Sequence, residues 1–198
     1  NVVIIGQSGA GKSSLINMLC PGAHAPVSND TTGCTRVEKE YKCDLGQQQY
    51  CQVHDTVGLE EGRWGFLPDK PAQKKLKAYL AMMMKRTPSE LDLLVYCIPG
   101  TRGLKKSHCR NFNNFKQEVG NVHVVVVVTH LDNWRGHLET WWTKNALTLE
   151  KLGIPDSTKH ACVTTLPKDY LNRSQIYLYD QSCEDVKALI RNNLPRIR

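Results

Sequence analysis

Near the start of the chain, glycines, a lysine and serines are spaced so that they can hold phosphate groups. Residues 6–13 read Gly-Gln-Ser-Gly-Ala-Gly-Lys-Ser, a complete G-x-x-x-x-G-K-S motif. An apolar strand is predicted before the motif at Val2–Ile5, and a helix after it at Ser13–Cys20. Backbone N–H groups in such a loop point at phosphate oxygens, and the helix N-terminus adds a favourable field. Lys12 would reach the terminal phosphates, and the Ser13 hydroxyl would bind Mg²⁺.

A carboxylate ends another predicted strand. Asp55 opens the sequence Asp-Thr-Val-Gly directly after the predicted strand Tyr50–His54. An Asp at a strand end can reach the shell of a Mg²⁺ ion, usually through water, and Gly58 can donate its backbone N–H to a γ-phosphate. The pattern alone would indicate a turn, and it gains weight from the phosphate-binding motif upstream.

A third polar group, Thr129-His130-Leu131-Asp132, follows the β-branched run Val122–Val128. A carboxylate at Asp132 can accept two hydrogen bonds from one edge of guanine, which adenine does not offer. Losing a charged hydrogen bond in a buried site costs about 1.5–3 kcal/mol. The alternative is a strand-end turn that Asp132 caps. Together with the first motif, Asp132 favours guanine nucleotides.

Strand and helix patterns alternate along the chain, which predicts an α/β fold. The sheet is expected to have six strands, mostly parallel, with one antiparallel edge strand and helices on both faces. Its ligand should lie beyond the carboxyl ends of the strands. The predicted strands are 2–5, 36–43, 50–54, 91–98, 122–128 and 161–164, and the predicted helices are 13–20, 72–85, 106–119, 138–152 and 183–194.

Composition predicts one globular domain over residues 1–198, with 40% hydrophobic and 23% charged residues. Because residue 1 adjoins a predicted core strand, we expect the domain to be part of a longer chain. No apolar run is long enough to span a bilayer. The eight cysteines include no C-x-x-C pair, which predicts reduced thiols and a cytoplasmic location.

The formal net charge is +7, which raises the question of an anionic partner. The basic residues occur in short, scattered groups with no interleaved aromatic residues. A nucleotide site and solvated helix faces would account for the excess. We therefore expect no nucleic-acid partner, and membrane contact is not indicated.

The order and spacing of these motifs resemble the Ras-like P-loop GTPases. Within the translation-factor-related class, residues 6–17 and the extended segment after Gly58 look most like the Era, septin and AIG1/Toc branch. The resemblance implies a P-loop NTPase fold (a Ras-like G domain) that binds GTP and GDP with Mg²⁺. It assigns phosphate and Mg²⁺ binding to Gly6, Ser8, Gly9, Ala10, Gly11, Lys12, Ser13 and Ser14.

The resemblance also implies a threonine that binds Mg²⁺ and the γ-phosphate. Thr31, Thr32 and Thr35 compete for this role. The pair Thr35-Arg36 resembles the Thr-Arg pair of the Era-like branch, so Thr35 is preferred and Thr32 comes second. The implied metal ligands are Ser13, Thr35 and Asp55, and the implied catalytic groups are Lys12, Ser13, Thr35 and Gly58.

The guanine motif departs from the usual Asn/Thr-Lys-x-Asp pattern. His130 stands where a lysine would lay its alkyl stem on the base, and a flat imidazole could stack there instead. Thr129, His130 and Asp132 fill this motif. The last base-contacting motif is matched only weakly, by Thr164 in Val163-Thr164-Thr165.

Leu59 occupies the position at which Ras has the glutamine that orients the attacking water. An apolar side chain cannot hold a water, so intrinsic hydrolysis is predicted to be slow. Potassium activation is not expected, because Gly9 stands where potassium-using relatives carry Asn. The candidate charged groups that could act in cis or across a dimer are Arg36, Glu60, Glu61 and Arg63; the alternative for all four is a solvated loop charge.

Three functions remain open. The first is a GTPase in which the γ-phosphate orders loops, so that the domain acts as a conformational or assembly switch. The second is a GTP-dependent interaction module with little turnover that could assemble as a homodimer through the nucleotide face. The third, disfavoured by the guanine motif, is an ATP-using P-loop enzyme.

Overall fold

A computed structural model describes residues 1–25, 39–56, 70–86, 90–101, 104 and 106–195 of the chain. Strands and helices alternate within these ranges. The strands are β1 (Val2–Gly6), β2 (Lys39–Gly46), β3 (Gln49–Asp55), β4 (Leu93–Pro99), β5 (His123–Thr129) and β6 (His160–Cys162); the helices are α1 (Lys12–Leu19), α2 (Lys70–Lys85), α3 (Lys106–Val119), α4 (Thr140–Lys151) and α5 (Arg173–Asn193), with a 3₁₀ turn at Lys168–Tyr170.

The strands form one six-stranded sheet in the order β2-β3-β1-β4-β5-β6. β2 pairs with β3 antiparallel at one edge, and the other neighbouring pairs are parallel. This confirms the predicted sheet with one antiparallel edge strand. Because the parallel strands run the same way, the loops that follow β1, β3, β5 and β6 leave the sheet at one edge.

Helices cover both faces of the sheet, and each face has its own apolar core. Alternate residues of β1 point to opposite faces: Val3 and Ile5 belong to one core, and Val2 and Ile4 to the other. The first core packs against α2, α3 and α4, and the second against α1 and α5. A sheet buried on both faces explains why β4 and β5 read as nearly continuous apolar runs.

The last helix begins ten residues earlier than the sequence pattern predicted. α5 starts at Arg173, not at Cys183. The Asn172 side chain accepts a hydrogen bond from the Gln175 backbone N–H at 3.0 Å, and the Gln175 side chain accepts one from the Asn172 N–H at 3.1 Å. This reciprocal capping box fixes the start of the helix.

The hairpin turn also lies further along than predicted. Strand β2 continues to Gly46, and the turn is made at Gln47 and Gln48, with φ of +54° and +60°. Both residues lie in the left-handed region, which suits a two-residue hairpin turn but is uncommon for glutamine. Asp44 Oδ1 accepts a hydrogen bond from the Gly46 N–H at 2.8 Å, which supports the bulge before the turn.

The cysteines differ from the prediction of reduced thiols at one pair. Cys20, which follows α1, and Cys43 on β2 form a disulfide, with Cα atoms 4.8 Å apart. Of the other described cysteine side chains, Cys51, Cys97 and Cys162 are buried free thiols and Cys183 is a half-buried one. Among the described residues, no helix is long and apolar enough to cross a membrane.

Candidate functional site

The loop between β1 and α1 has the backbone of a phosphate-binding loop. Gly9 and Gly11 have φ of +70° and +77°, a region that costs other residues about 1–2 kcal/mol. The Ala10 N–H donates to the Gln7 carbonyl at 3.1 Å and closes the turn. A Cβ on Gly11 would lie 3.1 Å from the Cβ of Thr129, so only glycine fits between this loop and the end of β5.

Lys12 is held inside this loop. Its side chain is buried, and Nζ donates to the carbonyl oxygens of Gly6 at 3.4 Å and Gln7 at 3.2 Å. Beneath it, burial raises the pKa of the Cys97 thiol to about 12, although the Lys12 charge acts to lower it. The thiol is therefore neutral at physiological pH, and the lysine supplies the positive charge of the loop.

The first turn of α1 completes the loop. Ser13 and Ser14 are half-buried there, Ala10 is buried, and Ser8 and Gly9 are exposed on the rim. No acidic residue lies in this turn and no side chain caps it. Its backbone N–H groups and partial positive charge therefore face the loop, which is the arrangement that binds anions at a helix N-terminus.

Asp55 is the last residue of β3 and lies level with Ile4 of β1. The next residue, Thr56, is buried, and its hydroxyl donates to the Ile4 carbonyl at 2.7 Å. This hydrogen bond holds the chain against β1 as it leaves β3, and its acceptor lies two residues before Gly6, where the phosphate loop begins. The half-buried carboxylate of Asp55 is thereby placed at the same sheet edge as the loop.

Thr129 joins the guanine motif to the phosphate loop. It is fully buried at the end of β5, and its hydroxyl donates to the Ala10 carbonyl at 2.9 Å. His130 Nδ1 lies 2.9 Å from the same hydroxyl oxygen. Because the hydroxyl proton is directed at Ala10, the imidazole must donate from Nδ1–H.

His130 has a φ of +59°, so the chain turns sharply after β5. Its ring reaches the phosphate loop: the Cε1 atom would lie 3.0 Å from a Cβ on Gly11. A left-handed backbone at a residue that has a side chain is energetically unfavourable, and such residues occur in tight turns and cluster at functional sites. The half-buried imidazole therefore flanks the space between the loop and Asp132.

Asp132 is tied to the segment after β6. Its Oδ1 atom accepts hydrogen bonds from the hydroxyl of Thr164 and from the backbone N–H of Leu166, the latter at 3.2 Å. Thr164 is buried, and its own N–H donates to Ser182 Oγ at 3.2 Å. The weakly matched Thr164 thus lies beside the carboxylate predicted to recognise the base.

Ser182 and Leu166 were not singled out from the sequence. Ser182 is buried on α5, and it was missed because that helix was predicted to begin only at Cys183. The sequence Asn172-Arg-Ser-Gln175 carries the capping signal that would have extended the helix over Ser182. Leu166 contributes its backbone N–H, and the residue type at a position does not predict such a contact.

Several predicted groups lie outside the described residues, namely Thr31, Thr32, Thr35, Arg36, Gly58, Leu59, Glu60, Glu61 and Arg63. The described part of the predicted magnesium site consists of Ser13 and Asp55. A hydroxyl and a carboxylate are hard oxygen donors of the kind Mg²⁺ prefers, and the ion usually takes its remaining ligands from phosphates and water. The donors that are described therefore fit the ion.

The family model of the 50S ribosome-binding GTPases matches residues 1–130. That range holds the phosphate loop, Asp55, Thr129 and His130 and ends two residues before Asp132. No curated protein sequence matches the chain.

Solved structures with the same fold include two of Era. The first, an Aquifex aeolicus Era variant bound to GDP and aluminium fluoride, is 19% identical with a TM-score of 0.64. The second, Era with MgGDPNP and part of 16S ribosomal RNA, is 21% identical with a TM-score of 0.62. The present chain is covered completely in both cases and spans 57% of each Era chain. A probable GTP-binding protein, engB, is 15% identical with a TM-score of 0.58, covering 96% of this chain and 98% of its own.

Proposed function

The chain belongs to the 50S ribosome-binding GTPase family and is a GTP-binding GTPase domain, and on this premise we propose that it is a slow, Mg²⁺-dependent GTPase acting as a conformational or assembly switch. We further propose that residues 1–198 form one such domain within a longer protein.

The hydrogen bond from Thr129 to Ala10 carries the proposal. It joins the guanine motif to the phosphate loop, and the Asp132–Thr164 contact adds the segment after β6 to the same sheet edge. A nucleotide needs its phosphates and its base held at a fixed separation, and these contacts link the groups proposed to hold each end.

For the phosphate end, we assign the loop from Gly6 to Ser14. Its backbone N–H groups and Lys12 neutralise the phosphate charge, which also stabilises charge that develops during phosphoryl transfer. Ser13 and Asp55 would hold Mg²⁺, directly and through water respectively, together with Thr35. When bound, Mg²⁺ would supply positive charge against the phosphates.

For the base end, we assign Asp132 to the guanine edge and His130 to its face. The imidazole beside Gly11 takes the place of the lysine stem usual in this fold. Thr164 holds the carboxylate in place through its hydroxyl. Adenine lacks the pair of donors that guanine offers to this half-buried carboxylate, which supports GTP over ATP.

Hydrolysis is proposed to be slow because Leu59 cannot orient water. A charged group from Arg36, Glu60, Glu61 or Arg63, in cis or from a second copy, would then set the rate. An arginine supplied in this way is worth about 10³–10⁵ in rate. Leu59 equally favours the second candidate, a GTP-dependent homodimer through the nucleotide face that scarcely turns over.

The remaining expectations concern partners and location. One Era structure contains ribosomal RNA, but at 21% identity we carry over its fold and not its RNA. A cytoplasmic location stays a prediction. The Cys20–Cys43 pair is of a kind that oxidising compartments favour, whereas buried Cys51 and Cys97 remain free thiols.

The proposal is tested by GTP hydrolysis with Mg²⁺, measured per mole of protein over a range of protein concentrations, with ATP as the control. We expect tight GTP binding, little ATP hydrolysis and a low rate. A rate per mole that climbs with concentration would assign the missing group to a second copy. A flat rate would indicate that an outside activator supplies it.

A matched pair of glycine variants tests the phosphate loop. Gly11→Ala places a Cβ 3.1 Å from Thr129, whereas Gly22→Ala introduces a Cβ at a similar φ, +88°, with nothing within 4 Å. Both should lose roughly 1–2 kcal/mol of stability from the backbone. Only Gly11→Ala, like Lys12→Ala, should abolish GTP binding; unchanged binding in either would refute the loop assignment.

A further inference from the structure

Two adjacent helices carry the whole net charge of the chain. By sequence, α2 has five lysines and no acidic residue, and α3 has three basic residues and one glutamate. Their combined excess of seven positive charges equals the formal net charge of +7 of the full chain. The remaining residues carry equal numbers of positive and negative charges. The charge is therefore strongly polarised, which the scattered pattern in the sequence did not reveal.

The exposed lysines of α2 lie opposite its buried side. Leu76, Leu80 and Met83 pack into the core beneath the helix. On the opposite side, Lys74 and Lys85 are exposed. Met82, which lies between them along the helix, is an apolar side chain that is 43% exposed. Lys75 and Ala78 are exposed as well.

α3 lies beside α2 on the same face of the sheet. Lys77 on α2 forms an ion pair with Glu118 on α3 at 2.8 Å, which links the two helices and satisfies the only acid of the pair. Arg110 and Lys116 of α3 are exposed. Just beyond α2, Arg86 is paired with Glu90. The basic face is defined as Lys74, Lys75, Met82, Lys85, Arg110 and Lys116; Glu118, the one acidic residue of the two helices, is neutralised by Lys77.

We propose that this basic face docks on an anionic phospholipid surface. Opposite charge supplies the attraction, because each lysine near a negatively charged bilayer contributes to binding and clusters of four to eight basic residues on an amphipathic helix are typical of such contact. Two helices side by side present a platform whose longer edge, the 16-residue α2, extends about 24 Å. The exposed Met82 lies where an apolar side chain can enter the headgroup region.

The composition of the basic face favours lipid over nucleic acid. Four of its five charges are lysines, which act as compact, strongly hydrated point charges and lack the planar fork with which arginine binds phosphate. Single-stranded RNA is bound through aromatic stacking, but here Phe112 and Phe115 are buried and Tyr79 is only half-exposed. This inference does not depend on GTP binding.

Flotation with vesicles tests the proposal. The probes are phosphatidylcholine vesicles with and without about one third phosphatidylserine, at about 0.1 M and about 0.5 M salt. The variant Lys74→Gln/Lys75→Gln/Lys85→Gln removes three charges from the basic face. The matched control Lys42→Gln/Lys151→Gln/Lys159→Gln removes three exposed charges from other surfaces. Circular dichroism and thermal melting verify that both variants fold.

The chain should bind only the anionic vesicles, and more weakly at high salt. The α2 variant should bind roughly a hundredfold more weakly, and the control within about threefold of the unmodified chain. Absence of vesicle binding at low salt overturns the proposal, and so does an equal loss in the control variant. Single-stranded and duplex RNA are tested in parallel: RNA binding without vesicle binding, lost in the α2 variant, would assign the face to nucleic acid instead.

Discussion

Asp132, the residue proposed to recognise the base, is held in place by its neighbours before any ligand binds. One carboxylate oxygen receives hydrogen bonds from the Thr164 hydroxyl and the Leu166 N–H. An ionised carboxylate accepts about four hydrogen bonds, so two on one oxygen restrict its rotation and leave further capacity for a base. The side chain therefore does not have to be ordered when the nucleotide arrives, which lowers the entropic cost of binding.

The substitution Asp132→Asn should change the preferred nucleotide from GTP to XTP. The asparagine carbonyl can still accept from Thr164 and Leu166, but the amide donates where the carboxylate accepted. Losing a charged hydrogen bond costs about 1.5–3 kcal/mol, or about ten- to a hundredfold in GTP affinity. Competition binding with GTP, XTP and ATP measures the change. An unaltered GTP affinity would refute the base assignment.

The places of the proposed site residues in the fold could be predicted from sequence, because their types and spacing are specific. Lys12, Asp55, Thr129 and Asp132 follow the strands that were expected to position them. Effects carried by the backbone could not: the left-handed φ of His130 depends on packing around it. The sequence likewise gave no sign that Thr129 would bond to Ala10, across the two motifs.

At the scale of elements, helix α5 supports the base end of the proposed site, because it holds Thr164, the residue that contacts Asp132. Its Val186 and Ile190 are fully buried against the sheet, which fixes the helix. Ser182, one turn earlier, accepts the Thr164 N–H. The element thus holds Thr164, which in turn holds Asp132. Predicting this required the true start of α5, and apolar periodicity weakens between Arg173 and Ser182 because much of that stretch is exposed.

Ser182→Ala should reduce nucleotide selectivity as well as stability. The Thr164 N–H would lose its acceptor in a buried place, at about 1–3 kcal/mol. Asn172→Ala, which removes the α5 cap for about 1 kcal/mol, serves as the control because it lies away from Thr164. Thermal melting should show both losses. The GTP-to-ATP affinity ratio should fall only for Ser182→Ala, and an equal fall in both variants would reduce Ser182 to a stabilising role.

Across the whole molecule, two histidines on strands toward opposite ends of the sheet, His54 on β3 and His160 on β6, make stability depend on pH in opposite directions. Near β6, His160 stacks on Trp142 at 3.7 Å, and its Nε2 lies 3.2 Å from Glu139 Oε2. Burial acts to lower the pKa of His160, but hydrogen bonds to Glu139 and the Thr158 carbonyl outweigh it, so that the pKa is raised. The protonated ring stabilises the fold.

His54 behaves in the opposite way at the β3 side. It is buried, with Nε2 3.1 Å from Asn1 Oδ1 and Nδ1 2.9 Å from the Tyr79 hydroxyl. Burial lowers its pKa, although the Glu40 carboxylate acts to raise it. A neutral ring that donates from Nε2 and accepts at Nδ1 satisfies both contacts, which include the link from β3 to α2. Protonation would break this arrangement.

The direction in which each histidine changes stability with pH follows from the linkage between proton binding and folding. The raised pKa of His160 gives stability that is fully present below the unfolded pKa of about 6.5 and is lost as pH rises through the folded value. The lowered pKa of His54 gives stability that is present above about pH 6.5 and is lost as pH falls through the folded value.

Thermal melting between pH 5 and pH 9 separates the contributions of the two histidines, because the variants His160→Gln and His54→Gln each remove one of them. The destabilisation caused by His160→Gln should shrink as pH rises, and that caused by His54→Gln should grow. If the melting temperature of either variant differed from that of the unmodified chain by the same amount at every pH, the pKa of the corresponding histidine would not change on folding.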